Sequence, residues 1–324
     1  MTLVDALKNG KVGTISEIPI NHIETVMSHV LIYKDRVRKV YKDDREGVFL
    51  DLRDFETRRQ FYKDDFYWNQ NVSPHIHLHL HGVEKNNDDV YQIISAEDAV
   101  EWFVEMRRVE DTDTLVKRLL EEEIEISDIQ AITNTQIEGL QKLSEKWLPE
   151  YNDLLDIGLE KLWYERLEKD LRNFGNSFGA TIPKEVTSKR IDVLINFFES
   201  HEYFKNLDES HAEIAIDNHA GNIVFTDGIP HFIDIYLVKK EWRVIDRNNN
   251  IARLATCIRV LGNNELADAV YKTFEQHYPL SSPEIYVFLE TYNALIKGYY
   301  YTYLNKPEVA KKYFLFADKN LENL

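Results

Sequence analysis

A chain of 324 residues, 44% hydrophobic and 12% aromatic, has enough apolar material for one large domain or two lobes. Its formal charge of −17 argues against nucleic acid as a partner, because phosphate-backbone binding needs a concentrated positive surface, and a cationic small molecule fits that field better. No apolar run approaches the roughly 20 residues of a membrane span, and the first residues lack the basic start and apolar centre of a secretion signal, so a cytoplasmic location without membrane contact is expected.

In chain order, the stretches SHVLIYKD (28–35), RVRKVYK (36–42), HIHLHLHGV (75–83) and DVYQIISA (89–96) alternate apolar and polar residues and predict strands. Between them, residues 52–72 carry apolar side chains at helical spacing. From about residue 106 helices dominate, predicted over 113–124, 127–147, 150–174 and 189–207, with Ser127 and Asp128 as a start signal for the second. A small β insert is predicted around 212–236, followed by helices at about 246–261, 264–278, 283–304 and 307–320. The lone Cys257 sits in the apolar run IARLATCIRVLG, which excludes a disulfide framework and reads as a buried small hydrophobe.

The β insert carries chemistry. In DNHAGNIVF, Asp217 stands five residues ahead of Asn222, and a hairpin turn at Thr226-Asp227-Gly228 leads to FIDIY, where Asp234 sits in apolar surroundings. Transfer of a phosphoryl group from a nucleotide needs one carboxylate at the acceptor hydroxyl, and an amide and a second carboxylate to hold Mg²⁺ on the phosphates. Asp217, Asn222 and Asp234 match those needs in order. Alone, D-x4-N is a weak signal, and an Asp flanked by apolar residues is often a structural hydrogen-bond acceptor. The first half adds what such chemistry also needs: Lys39 on a predicted strand and the acids Asp64 and Asp65 on the helix that follows.

These residues resemble the kinase-like aminoglycoside phosphotransferases, in particular a bacterial branch often fused to a P-loop ATP-binding domain, over residues 18–320. The stretches that carry the resemblance are HIETVMSHVLIYKDRVRKVYK, VFLDLRDFETRRQFY, VEWFVEMRRVED, DNHAGN, FID and TYNALIKGYYYTYL. No G-x4-G-K-[ST] stretch occurs, so the fused domain is not expected in this chain. The resemblance implies a two-lobed α+β protein-kinase-like fold. A small antiparallel sheet would form the nucleotide-binding lobe, residues 1–104, and a mostly helical catalytic and substrate lobe would span 105–324.

Carried over residue by residue, it implies that Glu24, Thr25 and Ser28 line a cover over the phosphates and that Lys39 contacts them with Asp65 behind it. Glu101, Trp102, Phe103 and Val104 would form a hinge holding the base through backbone groups, and Lys297 falls where the family's late helix has a basic residue. Asp217 would orient and deprotonate a hydroxyl, while Asn222 and Asp234 hold Mg²⁺. The co-substrate would be ATP or GTP, and the acceptor a hydroxylated small molecule, with a catalytically impaired nucleotide binder or a kinase acting on protein as the alternatives. Two departures stand out: the family's His-Gly before the catalytic Asp is Ala215-Ile216, and its Ser-Asp on the helix after the metal Asp is Asn249-Asn250. Either an apolar-plus-amide brace replaces a charged one, or the site has decayed.

Three further features admit two readings each. His75, His77, His79 and His81 alternate along one strand and so share a face, which suits either zinc ligation or a polar sheet surface. The tyrosines from Tyr299 to Tyr303 suit either stacking on a substrate or helix packing. The acidic run at 121–125 suits a solvated helix end or an attraction for cations.

Overall fold

The computed structural model describes every residue except 44–49, 87–89, 111–112 and 180. The first residue of the strand predicted from Asp89, and Val48 and Phe49 of the family-like stretch, therefore lie outside the described residues. The chain divides into two compact units, Met1–Asp113 with Val224–Lys240, and Thr114–Ile223 with Glu241–Leu324.

The first unit runs α1 (Leu3–Lys8), β1 (Asn21–Glu24), β2 (Ser28–Ile32), β3 (Arg36–Tyr41), α2 (Phe55–Val72), β4 (His77–Lys85), β5 (Tyr91–Ile94) and β6 (Glu101–Arg107). The six strands form one antiparallel sheet in the order β1-β2-β3-β6-β4-β5. Alternation sends Leu31, Tyr33, Val40, Val83 and Phe103 into one core together with Leu3 and Leu7 of α1. On α2, which Asp54 caps by accepting from the Thr57 N–H, Phe61, Tyr62, Phe66 and Trp68 are buried.

The segment expected to be a hinge is instead the strand β6. Lys39 faces Val104 across one side of it, and Val83 to Leu80 pair with Glu101 to Val104 across the other. Its neighbouring residues Trp102, Phe103 and Val104 are all buried, on both faces, the mark of an inner strand. Such a run lacks the alternation that betrays a strand in sequence. Because β6 continues to Arg107, paired with Arg36, the first unit extends past the expected boundary at 104.

The second unit begins with α3 (Leu115–Leu120), α4 (Ile126–Trp147), α5 (Asn152–Ile157), α6 (Leu159–Glu165), α7 (Arg172–Ser177), α8 (Lys184–Ser200), α9 (Glu202–Lys205) and β7 (Ala212–Ile214). The helix predicted over 150–174 breaks at Gly158, whose φ of +88° lies in the region glycine tolerates and other residues avoid. Helix α3 stops before the acidic run, and α4 is capped by Glu125 and Asp128 rather than started at Ser127. The chain then passes through the hairpin β8 (Ile223–Thr226) and β9 (Ile229–Phe232), which belongs to the first unit from Val224 on, and the second unit resumes with β10 (Val244–Asp246) paired antiparallel with β7, α10 (Arg247–Val260), α11 (Asn264–Phe274), α12 (Pro283–Tyr303) and α13 (Pro307–Leu321). Helices α12 and α13 pack so closely that a Cβ at Gly298 would fall 2.6 Å from Cε1 of Phe314.

Candidate functional site

In the first unit, the period-two geometry of β3 sends Lys39 and Tyr41 to the same face. Lys39 Nζ lies 2.5 Å from Oδ1 of Asp234 and 4.8 Å from the centre of the Tyr41 ring. Burial pulls the Lys39 ammonium down, but the charges of Asp234 and Asp65 more than offset it, so its pKa is raised and the lysine stays protonated. Asp65 makes no direct pair with Lys39. It accepts a 2.6 Å hydrogen bond from the Tyr41 hydroxyl and a 3.1 Å bond from Asn69 Nδ2. Burial pushes the Asp65 carboxyl up to about 6, with the Lys39 charge working against that rise. The acid expected behind the lysine is thus present, coupled through Tyr41 and through space, while Asp234 takes the contact.

Helix α2 and the residue after it hold the segment around Asp234 at three points. Ser73 Oγ accepts from the Phe232 N–H at 2.9 Å, Asn69 Oδ1 accepts from the Ile235 N–H at 3.2 Å, and Asp64 Oδ2 accepts from the Tyr236 hydroxyl at 2.9 Å. Between those anchors Asp234 adopts φ +52°, a left-handed conformation that Asp enters more readily than most residues but that still carries strain. Asn69 and Tyr41 were not among the residues the sequence singled out. Asn69 is a buried amide that shares with Asp65 an otherwise aromatic helix face, and that oddity was the available signal.

The expected phosphate cover is a closed turn. The Ser28 N–H donates to Thr25 Oγ1 at 2.9 Å, and the two hydroxyls lie 2.9 Å apart. Lys42 Nζ reaches Glu24 Oε1 at 2.5 Å and the Thr25 carbonyl at 2.7 Å. Ser28 is buried within this turn.

In the second unit, β7 leads into the loop that bears Asp217 and Asn222. The Asn222 side-chain amide donates to the Asp217 carbonyl at 2.8 Å, which fixes the loop's width and turns the amide oxygen away from that bond. Oδ1 of Asp217 lies 3.4 Å from Lys297 Nζ and 3.4 Å from Arg253 Nη1, and its Oδ2 lies 3.8 Å from His219 Nε2. Burial would raise the Asp217 carboxyl. Lys297, His219 and Arg253 together outweigh it and hold the group well below the usual carboxylate range. Asp217 is ionised at any physiological pH.

Asn250 does the bracing expected of the family's acid. It accepts from the Ile216 N–H at 3.3 Å and donates to the Ile214 carbonyl at 2.9 Å and to Glu213 Oε2 at 2.8 Å, while its carbonyl accepts from Asn218 Nδ2 at 2.6 Å. Asn249 accepts from Asn293, and Asn293 accepts from Arg253 Nε. The sequence suggested that this brace had lost its ionisable groups. A carboxylate is in fact built into it, contributed by Glu213, which is fully enclosed and pushed up by burial to about 7. Arg253 and Glu213 escaped the sequence reading because their partners lie dozens of residues away.

The remaining features resolve toward packing. A β-bulge between His77 and His79 breaks the shared face, and His77 is buried, its imidazole pulled down by burial to about 4. Among the described residues no group of three or more His, Cys, Asp or Glu is arranged to hold a metal. Tyr299 packs against Phe314, Tyr301 against Tyr313 and Tyr303 against Phe178. Cys257 is buried beside the Tyr313 hydroxyl. Among the described residues no helix is long and apolar enough to cross a membrane.

No family model and no curated protein matches the sequence. Solved structures do match the fold. A thermostable mutant of aminoglycoside phosphotransferase APH(4)-Ia, in a ternary complex with AMP-PNP and hygromycin B, is similar over 99% of this chain and 98% of its own, with a TM-score of 0.55 at 12% identity. The apo form of such a mutant gives 0.54 at 10% identity over 95% of each chain. A glucosamine kinase in complex with glucosamine, ADP and inorganic phosphate gives 0.53 at 10% identity, over 94% of this chain and 80% of that one. The chain therefore has the two-lobed α+β fold of the kinase-like phosphotransferases.

Proposed function

We propose that the protein transfers the terminal phosphoryl group of ATP or GTP to a hydroxyl of a small molecule. The reading is carried by the Lys39–Asp234 ion pair, a buried lysine on the third strand held against an acid that three α2-side anchors fix in a strained conformation. The Asp217–Asn222 loop supports it independently, and similar folds bind AMP-PNP with hygromycin B, or ADP with glucosamine.

In this mechanism Lys39 grips the nucleotide phosphates, and Asp65, shielded by Tyr41, keeps the lysine charged. Asp234 and Asn222 each carry an oxygen of the hard kind that Mg²⁺ takes, a carboxylate in the first unit and an amide in the second. Once bound, the ion would neutralise charge on the phosphates. Asp217 accepts a hydrogen bond from the acceptor hydroxyl and orients it. Its low basicity is no obstacle, because phosphoryl transfer passes through a loose transition state in which positioning outweighs proton abstraction. Glu213 and Asn250 keep the Asp217 loop in shape, so the departures at Ala215-Ile216 and Asn249-Asn250 are compatible with activity.

The test is incubation of the purified protein with γ-labelled ATP or GTP and a metabolite extract, followed by mass spectrometry. A labelled phosphate ester that disappears with Asp217→Asn is expected. Label on proteins alone would point to a protein kinase, and nucleotide binding without any transfer to an inactive relative.

A further inference from the structure

Resting on that reading, we infer that the acceptor is an anionic hydroxy compound, one bearing a carboxylate or phosphate a few bonds from the hydroxyl that is phosphorylated. The whole chain carries −17, yet around Asp217 the balance is reversed. Two cations converge on a single carboxylate oxygen, Lys297 from α12 and Arg253 from α10, with side chains only 9% and 14% exposed. Burying a second costs solvation that an uncompensated carboxylate does not return.

Their remaining donors are unspent. Arg253 uses Nε on Asn293 and Nη1 on the Ile216 carbonyl and Asp217, while Lys297 makes only the long 3.4 Å contact to Asp217 and an approach to the Tyr300 ring. Among the described residues, Arg253 Nη2 and the other ammonium protons of Lys297 have no protein acceptor. Arg253 Nη2 is not among the buried unsatisfied atoms, so it faces accessible space, while the Lys297 ammonium, 9% exposed along its side chain, holds only its long contact to Asp217. A third cation, Arg166, is 3% exposed, hydrogen-bonds to the carbonyls of Glu241 and Val244, and feels the charge of Arg253.

With both cations on Oδ1, Oδ2, which lies 3.8 Å from His219 Nε2, is the oxygen that takes the acceptor hydroxyl. An ammonium on the acceptor at that point would meet like charge, whereas an anion would complete the balance. The cationic acceptor suggested by net charge alone is therefore disfavoured at the site itself. In the balanced step the γ-phosphorus–oxygen bond breaks, the acceptor oxygen bonds to phosphorus, the nucleoside diphosphate leaves, and the hydroxyl proton passes by way of Asp217 to solvent.

The test is binding, which needs no turnover. Full-length protein saturated with Mg²⁺ and AMP-PNP is titrated with two charge series by calorimetry or ligand-detected NMR: sorbitol, gluconate and glucosamine, and glycerol, glycerate, glycerol phosphate and serinol. The anionic members of at least one series should bind about tenfold or more tighter than their neutral and amine counterparts. Lys297→Met should erase that preference without changing AMP-PNP affinity, and Lys297→Arg should retain it. Equal or tighter binding of the neutral or amine members, or no binding of any anionic member at about 10 mM, overturns the inference. Absence of AMP-PNP binding overturns the phosphotransferase reading instead.

Discussion

Lys39 and Asp234, 195 residues apart in sequence, meet at 2.5 Å between Nζ and Oδ1. The lysine is nearly enclosed, at 11% exposure, whereas the acid is 48% exposed, so the pair is a solvated acid reaching a buried cation. A contact so open to water adds little to stability. Its value is chemical. Lys39→Met should lower kcat/KM by about 10²–10³-fold, the usual cost of losing one preorganised charge at a reacting centre. Unfolding free energy should fall by no more than about 1 kcal/mol, because buried Asp65 takes up a proton rather than remain an unpaired charge. Steady-state kinetics beside a urea melt checks both, and an equally inactive but grossly destabilised variant would assign the lysine to structure.

Tyr41 bonds Asp65 through its hydroxyl while Lys39 lies against its ring. Its hydroxyl bond lowers the Asp65 pKa against the burial that still carries it up to about 6. Tyr41→Phe should therefore move the acidic limb of the pH profile of kcat/KM for nucleotide to higher pH by about half to one unit, leaving the plateau above pH 8 close to wild type. A uniform loss at all pH values, with the limb unmoved, would count against this link.

Glu213 supplies a pH dependence of stability with a definite sign. Its carboxyl goes from an ordinary 4.5 to about 7 in the folded state, so the folded protein holds a proton that the unfolded chain releases. The stabilisation is fully present below pH 4.5 and is lost as pH rises toward and through 7, an effect of roughly 3 kcal/mol. Glu213→Gln mimics the protonated acid and keeps an acceptor for Asn250. Denaturant midpoints from pH 4.5 to 8 should fall less steeply in the variant than in the wild type. Parallel curves would show that Glu213 is ionised throughout.

Much of the helical unit was legible because local rules and tertiary demands agree there. Helices α12 and α13 begin at Pro283 and Pro307, where a proline fits the first turn, and their predicted ends lie within a residue of the observed ones. The D-x4-N pattern corresponds to a local structure for the same reason, since Asp217 and Asn222 are locked together by a local bond. Failures cluster where burial overrides pattern. Strand β6 is apolar on both faces, so it lacks the period of two, and α1 is a six-residue helix too short to announce itself. Contacts such as Arg253 to Asp217 or Asn250 to Glu213 join elements that only the fold brings together.

Of the three anchors around Asp234, Asn69 holds the residue next to it. Fully buried, it donates to the Asp65 carbonyl at 2.8 Å and to the Asp65 carboxylate at 3.1 Å, and it accepts from the Ile235 N–H. Alanine would strip all three bonds and leave that N–H in a buried setting, at about 1–3 kcal/mol of stability. The functional cost should exceed the structural one in a specific way, because the strained φ at Asp234 persists only while its neighbours hold it. Residues that orient a metal-binding carboxylate contribute about 10–100-fold in metal affinity, and Asn69 would do so for Asp234 through the Ile235 N–H, if Asp234 holds Mg²⁺ as proposed. Asn69→Ala should therefore raise the Mg²⁺ concentration for half-maximal activity by about that factor, with a much smaller change in nucleotide affinity, as magnesium titrations at saturating nucleotide would show. A variant that is merely less stable, with its magnesium requirement unchanged, would confine Asn69 to the packing of α2 and remove it from the chemistry.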